Sequence, residues 1–368
     1  MNTNTMLAAR AEKGSAELHL QEISIPEPGP MDVLVKVASA GLAPGMMRLL
    51  AMGAFKHLPT TLGHEVAGTV AAVGADVTGM VTGTRVRVHA NLNCRSCTYC
   101  RSDRDMMCPQ QAMLGHAAFG EVPMPLYERY HDGGLAEYIR VPHWLVDPLP
   151  DSVSFDVGAK VHDLANAVRA LKLAQLPLGG TLVVTAATGT MGTASVKLAR
   201  HFGVGRLILV GRSAERLSAV RRLAGDVACD MVAIEDLPAD WGTGQGLTRA
   251  LRKLVPQGAD AVLDFIPEGP ATSQSLAALA TGGTLVHMGA NQAPLTLPMI
   301  AIMANCWRVV GTRACTRTDA KDVLALLDSG ALDAQDLITH RYPLADVGEA
   351  VAAMQSRAEP IWMAVINP

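Results

Sequence analysis

Aromatic side chains are scarce, 4% of 368 residues, and no long run of one charge sign appears. Lysine and arginine number 31 against 34 acidic residues, for a formal net charge of -3. A chain with no basic tract offers little to a nucleic acid or an anionic membrane surface, so neither is expected as a partner. No apolar stretch approaches the ~20 residues that a membrane span needs, although mean hydropathy is positive. The surplus of hydrophobic residues, 49% against 18% charged, reads as a large core plus an oligomer interface. The N-terminal stretch MNTNTMLAARAEKG lacks a basic region followed by an apolar one. No signal peptide is therefore expected, and the chain reads as cytoplasmic, where disulfides are disfavoured. Repeats and low-complexity segments are also missing.

What is present starts with cysteine. Cys94, Cys97, Cys100 and Cys108 hold four of the seven cysteines in a C-x2-C-x2-C-x7-C spacing. Thiolates on a tight loop suit tetrahedral zinc. Arg95, Arg101 and Arg104 lie among them and are placed to offset the negative site. An iron–sulfur cluster is the rival, but the ferredoxin run continues with three residues to the next cysteine, not seven. Four protein ligands leave no open position for substrate, so such a zinc staples a loop and the chemistry lies elsewhere. Cys229, Cys306 and Cys315 have no partner spacing and read as core or interface thiols.

The length suggests two domains. Residues 1–155 are rich in valine, glycine and proline, with short alternating runs at 33–37, 66–70 and 85–88, and read as a mainly β domain. From about 160 the pattern becomes α/β. Apolar strands at 181–185, 206–210, 231–234, 261–265, 284–288 and 308–311 alternate with helix-length segments such as 191–202, 214–224 and 271–280. That alternation predicts a doubly wound parallel sheet. Beyond 312 come a helix at 320–327, a strand at 339–343, a helix at 345–355 and a final strand at 360–366.

The first strand of the α/β region runs into Thr185-Ala186-Ala187-Thr188-Gly189-Thr190-Met191-Gly192. Small residues let backbone approach a pyrophosphate, and the following helix offers free N–H groups. The loop is A-x2-G-x2-G rather than G-x-G-x-x-G; its strand–loop–helix context makes it a dinucleotide site. The second strand ends in Val210-Gly211-Arg212-Ser213, with Arg216 one turn on. An acidic residue at that end would hold a ribose 2′-hydroxyl. Here Gly211 leaves space, and Arg212, Ser213 and Arg216 can hold a 2′-phosphate, which favours NADP(H). The alternative is that these arginines decorate a solvated helix start.

Together with Leu62-Gly63-His64-Glu65-Val66-Ala67-Gly68 and Gly133-Gly134-Leu135-Ala136-Glu137-Tyr138, these motifs resemble the zinc-containing medium-chain alcohol dehydrogenase/reductase superfamily over nearly the whole chain. The resemblance implies a GroES-like catalytic domain from residues 1–158 and 302–368, with the zinc lobe at about 91–112. It also implies an inserted Rossmann domain at 159–301, an active site in the cleft, and homodimers or homotetramers joined sheet edge to sheet edge near 307–311. Implied too is hydride transfer between NADP(H) and a small organic substrate, with one structural zinc per chain.

The sequence departs from the family at the catalytic zinc. Ala43 stands where the first cysteine ligand belongs, and Gly45 where the proton-relay hydroxyl belongs. His64 keeps the second ligand position, with Glu65 beside it, and the third falls near His162-Asp163. Two arrangements stay open. His64, Glu65 and His162 hold a second, catalytic zinc with one position free. Otherwise His64, Glu65, His162 and Asp163 form a metal-free polar floor of proton donors and substrate binders. Pro44 and the nucleotide turn also resemble the zinc-free quinone and enone reductases, a branch that usually lacks the cysteine lobe. Reduction of a carbonyl or of a conjugated alkene both fit, as does a retired NADPH-binding sensor or scaffold. The segment from Gly115 to His131 is expected to line the site, with Phe119, Tyr127 and Tyr130 touching substrate or closing the lobe.

Overall fold

A computed structural model describes residues 4–55, 57–117 and 124–368. By contact the chain divides into two units, residues 1–162 with 316–368, and residues 163–315.

The first unit opens with the hairpin β1 (Thr5–Ala11) and β2 (Leu18–Ser24), then β3 (Asp32–Leu42), the short helix α1 (Pro44–Ala51), β4 (Thr60–Thr61), β5 (Val66–Val73) and β6 (Arg85–Val88). A small lobe follows: β7 (Asn91–Leu92), α2 (Thr98–Arg101) and β8 (Ala112–Met113). Then come α3 (Pro125–Arg129), β9 (Tyr138–Pro142), β10 (Val146–Pro148) and the long helix α4 (Phe155–Ala174), along which the chain passes from one unit to the other. In the second unit strands and helices alternate: β11 (Thr181–Val184), α5 (Thr190–Leu198), β12 (Arg206–Gly211), α6 (Ala214–Arg221), β13 (Ala228–Ala233), α7 (Gly246–Leu254), β14 (Ala259–Asp264), α8 (Ala271–Leu276), β15 (Leu279–His287), α9 (Met299–Ala304) and β16 (Arg308–Gly311). The chain then returns to the first unit with α10 (Arg317–Asp328), β17 (Ile338–Pro343), α11 (Val347–Ser356) and β18 (Met363–Asn367).

In the first unit β3 is the hub. It pairs antiparallel with β5, β9 and the C-terminal β18, so the last strand completes the sheet that β3 begins, while β1 and β2 form a separate small sheet with β4. The path of that sheet is β10-β6-β5-β3-β18-β17. Inward β-branched residues such as Val35, Val66, Val86 and Ile139 fill its core. The second unit is one parallel sheet in the order β13-β12-β11-β14-β15-β16, which reverses direction of growth between β11 and β14. Its strands are nearly continuous apolar runs because helices cover both faces. β16, beyond residue 301, pairs with β15 as the edge strand and belongs with this unit.

Two expectations move. The 271–280 helix stops at Leu276, because Leu279 joins Ala259 in the β14–β15 ladder. Helix α4 was not anticipated: Lys160 through Val168 are buried, so it carries no amphipathic stripe.

Candidate active site and metal centre

The four cysteines converge. Their Sγ atoms all lie within 4.8 Å of one another, Cys94 and Cys100 at 3.9 Å and Cys97 and Cys100 at 3.5 Å. Backbone N–H groups point at the sulfurs: Cys97 N to Cys94 Sγ at 3.4 Å, Cys100 N to Cys97 Sγ at 3.5 Å, Cys94 N and Gln110 N to Cys108 Sγ at 3.5 and 3.4 Å. Such donors stabilise thiolates. Burial opposes ionisation of Cys94, but hydrogen bonds from the Ser96 hydroxyl and from the Ser96 and Cys97 N–H groups prevail and draw it down to about 6. Burial pushes Cys100 and Cys108 up, so four thiolates are not held without a cation. The donor set and spacing fit one zinc. The arginines serve elsewhere: Arg95 lies over Trp144, Arg104 over Tyr99, and Arg101 donates to Ser96 O. The lobe is tied to the start of α10, where Arg317 N–H donates to Asp105 and Thr318 to Asp103.

The Leu62–Gly68 and Gly133–Tyr138 motifs interlock. Leu135 N–H donates to Leu62 O at 2.8 Å and Gly134 N–H to Gly63 O at 2.7 Å. Gly63 has φ +101°, and a Cβ there would lie 2.7 Å from Leu135 N, so only glycine fits. This clamp delivers His64 and Glu65 to the mouth of β5, both buried.

There His64 meets His162 from α4, with ring centroids 5.1 Å apart and nearly perpendicular. Two more residues complete the group: His116, from the segment expected to line the site, and Lys160, which no motif singles out. His116 stands 5.5 Å from His64, edge to face, and stacks on Phe55. Lys160, 1% exposed, forms an ion pair with Glu65 Oε2. The other carboxylate oxygen lies 3.6 Å from His64 Nε2. Glu65 fits only because Gly41 has no side chain; a Cβ there would lie 1.9 Å from Oε2. Burial, then the neighbouring His64, push His116 down to about 3, and burial holds His162 well below its ordinary value. Both are neutral imidazoles. Asp163, buried, follows on α4 and begins the second unit.

Ala43 caps α1 without a donor atom. Among the described residues the four cysteines are the one group of three or more His, Cys, Asp or Glu side chains whose ligand atoms lie within 4.8 Å of one another. His64, Glu65 and His162 do not form such a group. Tyr130 donates to Asp32 at 2.6 Å and Tyr127 is buried, so both close the packing there; Phe119 lies outside the described residues.

In the second unit the nucleotide loop follows β11. Ala186 turns at φ +47° and Gly189 caps α5 with no side-chain hydrogen bond, so the loop brings backbone to the start of the helix, where N–H groups favour an anion. Gly192 lies so close to the loop that a Cβ would be 2.5 Å from Ala187 Cα. Ala186, Thr188, Gly189, Thr190, Met191 and Gly192 thus make a cradle that fits a pyrophosphate. Gly211 ends β12, Arg212 is exposed, Ser213 caps α6, and Arg216 lies in its first turn. One carboxylate was not foreseen at this place. Glu235 Oε1 accepts the Ala214 N–H at 2.7 Å, and Glu235 N–H donates to Arg212 O at 3.1 Å.

A GroES-like first unit, a parallel-sheet second unit with a phosphate cradle and a four-cysteine lobe define a zinc-type dehydrogenase. Residues 29–151 match the alcohol dehydrogenase GroES-like domain and residues 190–329 match the zinc-binding dehydrogenase domain; the chain belongs to the zinc-containing medium-chain dehydrogenase/reductase superfamily, a family of oxidoreductases. It is 28% identical over 344 residues to L-idonate 5-dehydrogenase of Vitis vinifera, covering 92% of this chain and 88% of that one. It is 27% identical to sorbitol dehydrogenase of Bombyx mori, covering 94% of each. A Sinorhizobium meliloti 1021 protein solved with NADP, described as a zinc-binding dehydrogenase, superposes with a TM-score of 0.83 at 27% identity, covering 100% of both chains. No helix among the described residues is long and apolar enough to cross a membrane.

Proposed function

We propose that this chain is an NADP(H)-dependent oxidoreductase that reduces a carbonyl or a conjugated alkene of a small organic substrate on a floor without catalytic metal. The observation that carries the reading is the buried Lys160–Glu65 pair beside His64, taken with an alanine, Ala43, at the position of the first ligand in the sequence. A dication held by His64 and His162 would have neutral ligands only, a carboxylate already neutralised, and an ammonium nearby. Like charges at such distances in a dry site repel strongly. Zinc sites normally offset that charge with thiolate or carboxylate.

The nicotinamide cofactor supplies or accepts the hydride. The loop at Ala186–Gly192 receives the pyrophosphate, and Arg212, Ser213 and Arg216 receive the 2′-phosphate. His162, held neutral by burial, and His64 can each donate an N–H to the substrate oxygen and stabilise the charge that develops as hydride arrives. The proton that completes reduction comes from water, while the neutral imidazole N–H holds the developing charge by a hydrogen bond. Hydrogen bonds polarise a carbonyl less than a metal does, which favours conjugated acceptors. The cysteine lobe holds its zinc away from these steps. The NADP-bound Sinorhizobium relative supports the cofactor assignment, whereas Glu235 at the start of α6 favours NAD(H) as the second reading.

Homo-oligomers are proposed to join through the edge strand β16, beside which Met299, Ile300 and Met303 are exposed. A monomer by sedimentation would remove that proposal.

The deciding experiment pairs zinc analysis with a substrate panel of enones, aldehydes and polyols, with NADPH and NADH. The reading expects about one zinc per chain and NADPH turnover with a conjugated acceptor. Two zinc ions, with activity lost when the weaker one is removed, would establish a metal floor instead. Tight NADPH binding with no turnover on any acceptor would make the protein a sensor or scaffold.

A further inference from the structure

At the carboxyl edge of the parallel sheet lies a cluster that the reading above does not use. Asp264 ends β14 and is fully buried. Its Oδ1 accepts from the Thr185 hydroxyl at 2.7 Å, and its Oδ2 accepts from the Thr272 hydroxyl at 2.9 Å and contacts His287 Nδ1 at 2.6 Å. His287 ends β15. A buried carboxylate needs donors, so the proton of this imidazole sits on Nδ1. Nε2 is then an acceptor, met among the described residues by a long contact of 3.4 Å from Asn291 N–H. The His287 side chain is 28% exposed, so the ring is not sealed in.

Its place gives that acceptor a use. In doubly wound sheets a dinucleotide lies across the carboxyl edge at the point where strand order reverses, each half-sheet taking one nucleotide. Here the reversal falls between β11 and β14. The cradle and Arg212 lie on the β11–β12 side, which takes the adenosine half. Asp264 and His287 lie on the other side, which takes the nicotinamide half. Thr185 joins the two, since it immediately precedes the cradle, donates to Asp264, and accepts the Phe265 N–H at 3.1 Å.

We propose that His287 is a cofactor-positioning residue whose Nε2 accepts a hydrogen bond from the nicotinamide–ribose half of the dinucleotide, with Asp264 fixing its tautomer. The proposal rests on the dinucleotide reading of the cradle. The donor it meets is a ribose hydroxyl or the carboxamide NH2, both on that half.

The test compares two ligands by titration calorimetry on the full-length zinc-loaded protein. NADPH carries both halves; adenosine 2′,5′-bisphosphate carries the adenosine half alone. His287→Leu is expected to weaken NADPH roughly tenfold and leave the bisphosphate unchanged, and His287→Gln, which keeps an acceptor, to recover part of the loss. Thermal unfolding checks each variant, and if the leucine variant does not fold, the glutamine variant is read against wild type for a loss confined to NADPH. Equal weakening of both ligands, or of neither, overturns the proposal and leaves the cluster as a staple between strand ends. If wild type prefers NADH, the same pair is run with NADH and AMP. If wild type binds no dinucleotide, the cofactor reading itself fails, an outcome distinct from the other two.

Discussion

Lys160 is the residue on which the proposed metal-free reading turns. It is a lysine with about 1% exposure inside a helix, paired with a carboxylate that is equally buried. Removing one partner of such a pair leaves an unpaired buried charge, whereas removing both can cost little. Lys160→Met is therefore expected to destabilise the protein by about 3–5 kcal/mol, and Glu65→Gln by a comparable amount. The double variant should recover most of that loss, a coupling of about 2 kcal/mol or more in urea melts of all four proteins. Additive losses would mean that the two groups are not each other's partner, and the argument against a catalytic metal would fall with them. Sequence reasoning passed over Lys160 because it lies 95 positions from Glu65. The one local signal is a charge set among Val157, Gly158, Ala159 and Val161, where an apolar side chain would be ordinary. His64 and His162 were legible because motif position named them; His116 was legible only as part of a lining segment.

At the scale of elements, the strands and the phosphate cradle could be read in advance, since parallel strands are short apolar runs and the cradle needs small residues. Helix α4 could not, because a helix buried on every side shows no 3.6-residue rhythm. The end of β12 was half legible. Arg212 follows the end of β12 and Arg216 lies four positions on in the first turn of α6, both readable in sequence, but Glu235 arrives from the turn after β13 and takes the N–H of Ala214. A 2′-phosphate received there competes with that carboxylate for the same donor and is repelled by its charge. Glu235→Gln is expected to raise the ratio of kcat/KM for NADPH over NADH about fivefold. A ratio that falls would mean Glu235 helps to bind the phosphorylated cofactor through the donors around it. Arg212→Ala should move the ratio the other way, mainly through the KM for NADPH.

The molecule as a whole answers to pH through its buried imidazoles. His116 is held near 3 and His162 well below its usual value, both chiefly by burial, so the folded chain keeps them neutral through the mildly acidic range. In the unfolded chain each titrates near 6.5. Below that value the unfolded state binds more protons than the folded one, so stability rises with pH. The contribution is fully present above about 6.5 and is lost as pH falls towards the folded values, at up to about 1.4 kcal/mol per pH unit for each histidine. Loss should thus set in near pH 6, before the carboxylates begin to titrate. Urea midpoints between pH 7 and 5.5 are expected to fall accordingly, with zinc content followed in parallel because the cysteine lobe releases metal as its thiolates protonate. His116→Leu keeps an apolar side chain against Phe55 and removes one titrating group, so its stability should change with pH less steeply, by roughly one proton's share. A slope identical to wild type would show that His116 is protonated in the folded protein, and that the polar floor around His64 carries a charge the neutral-imidazole mechanism does not allow.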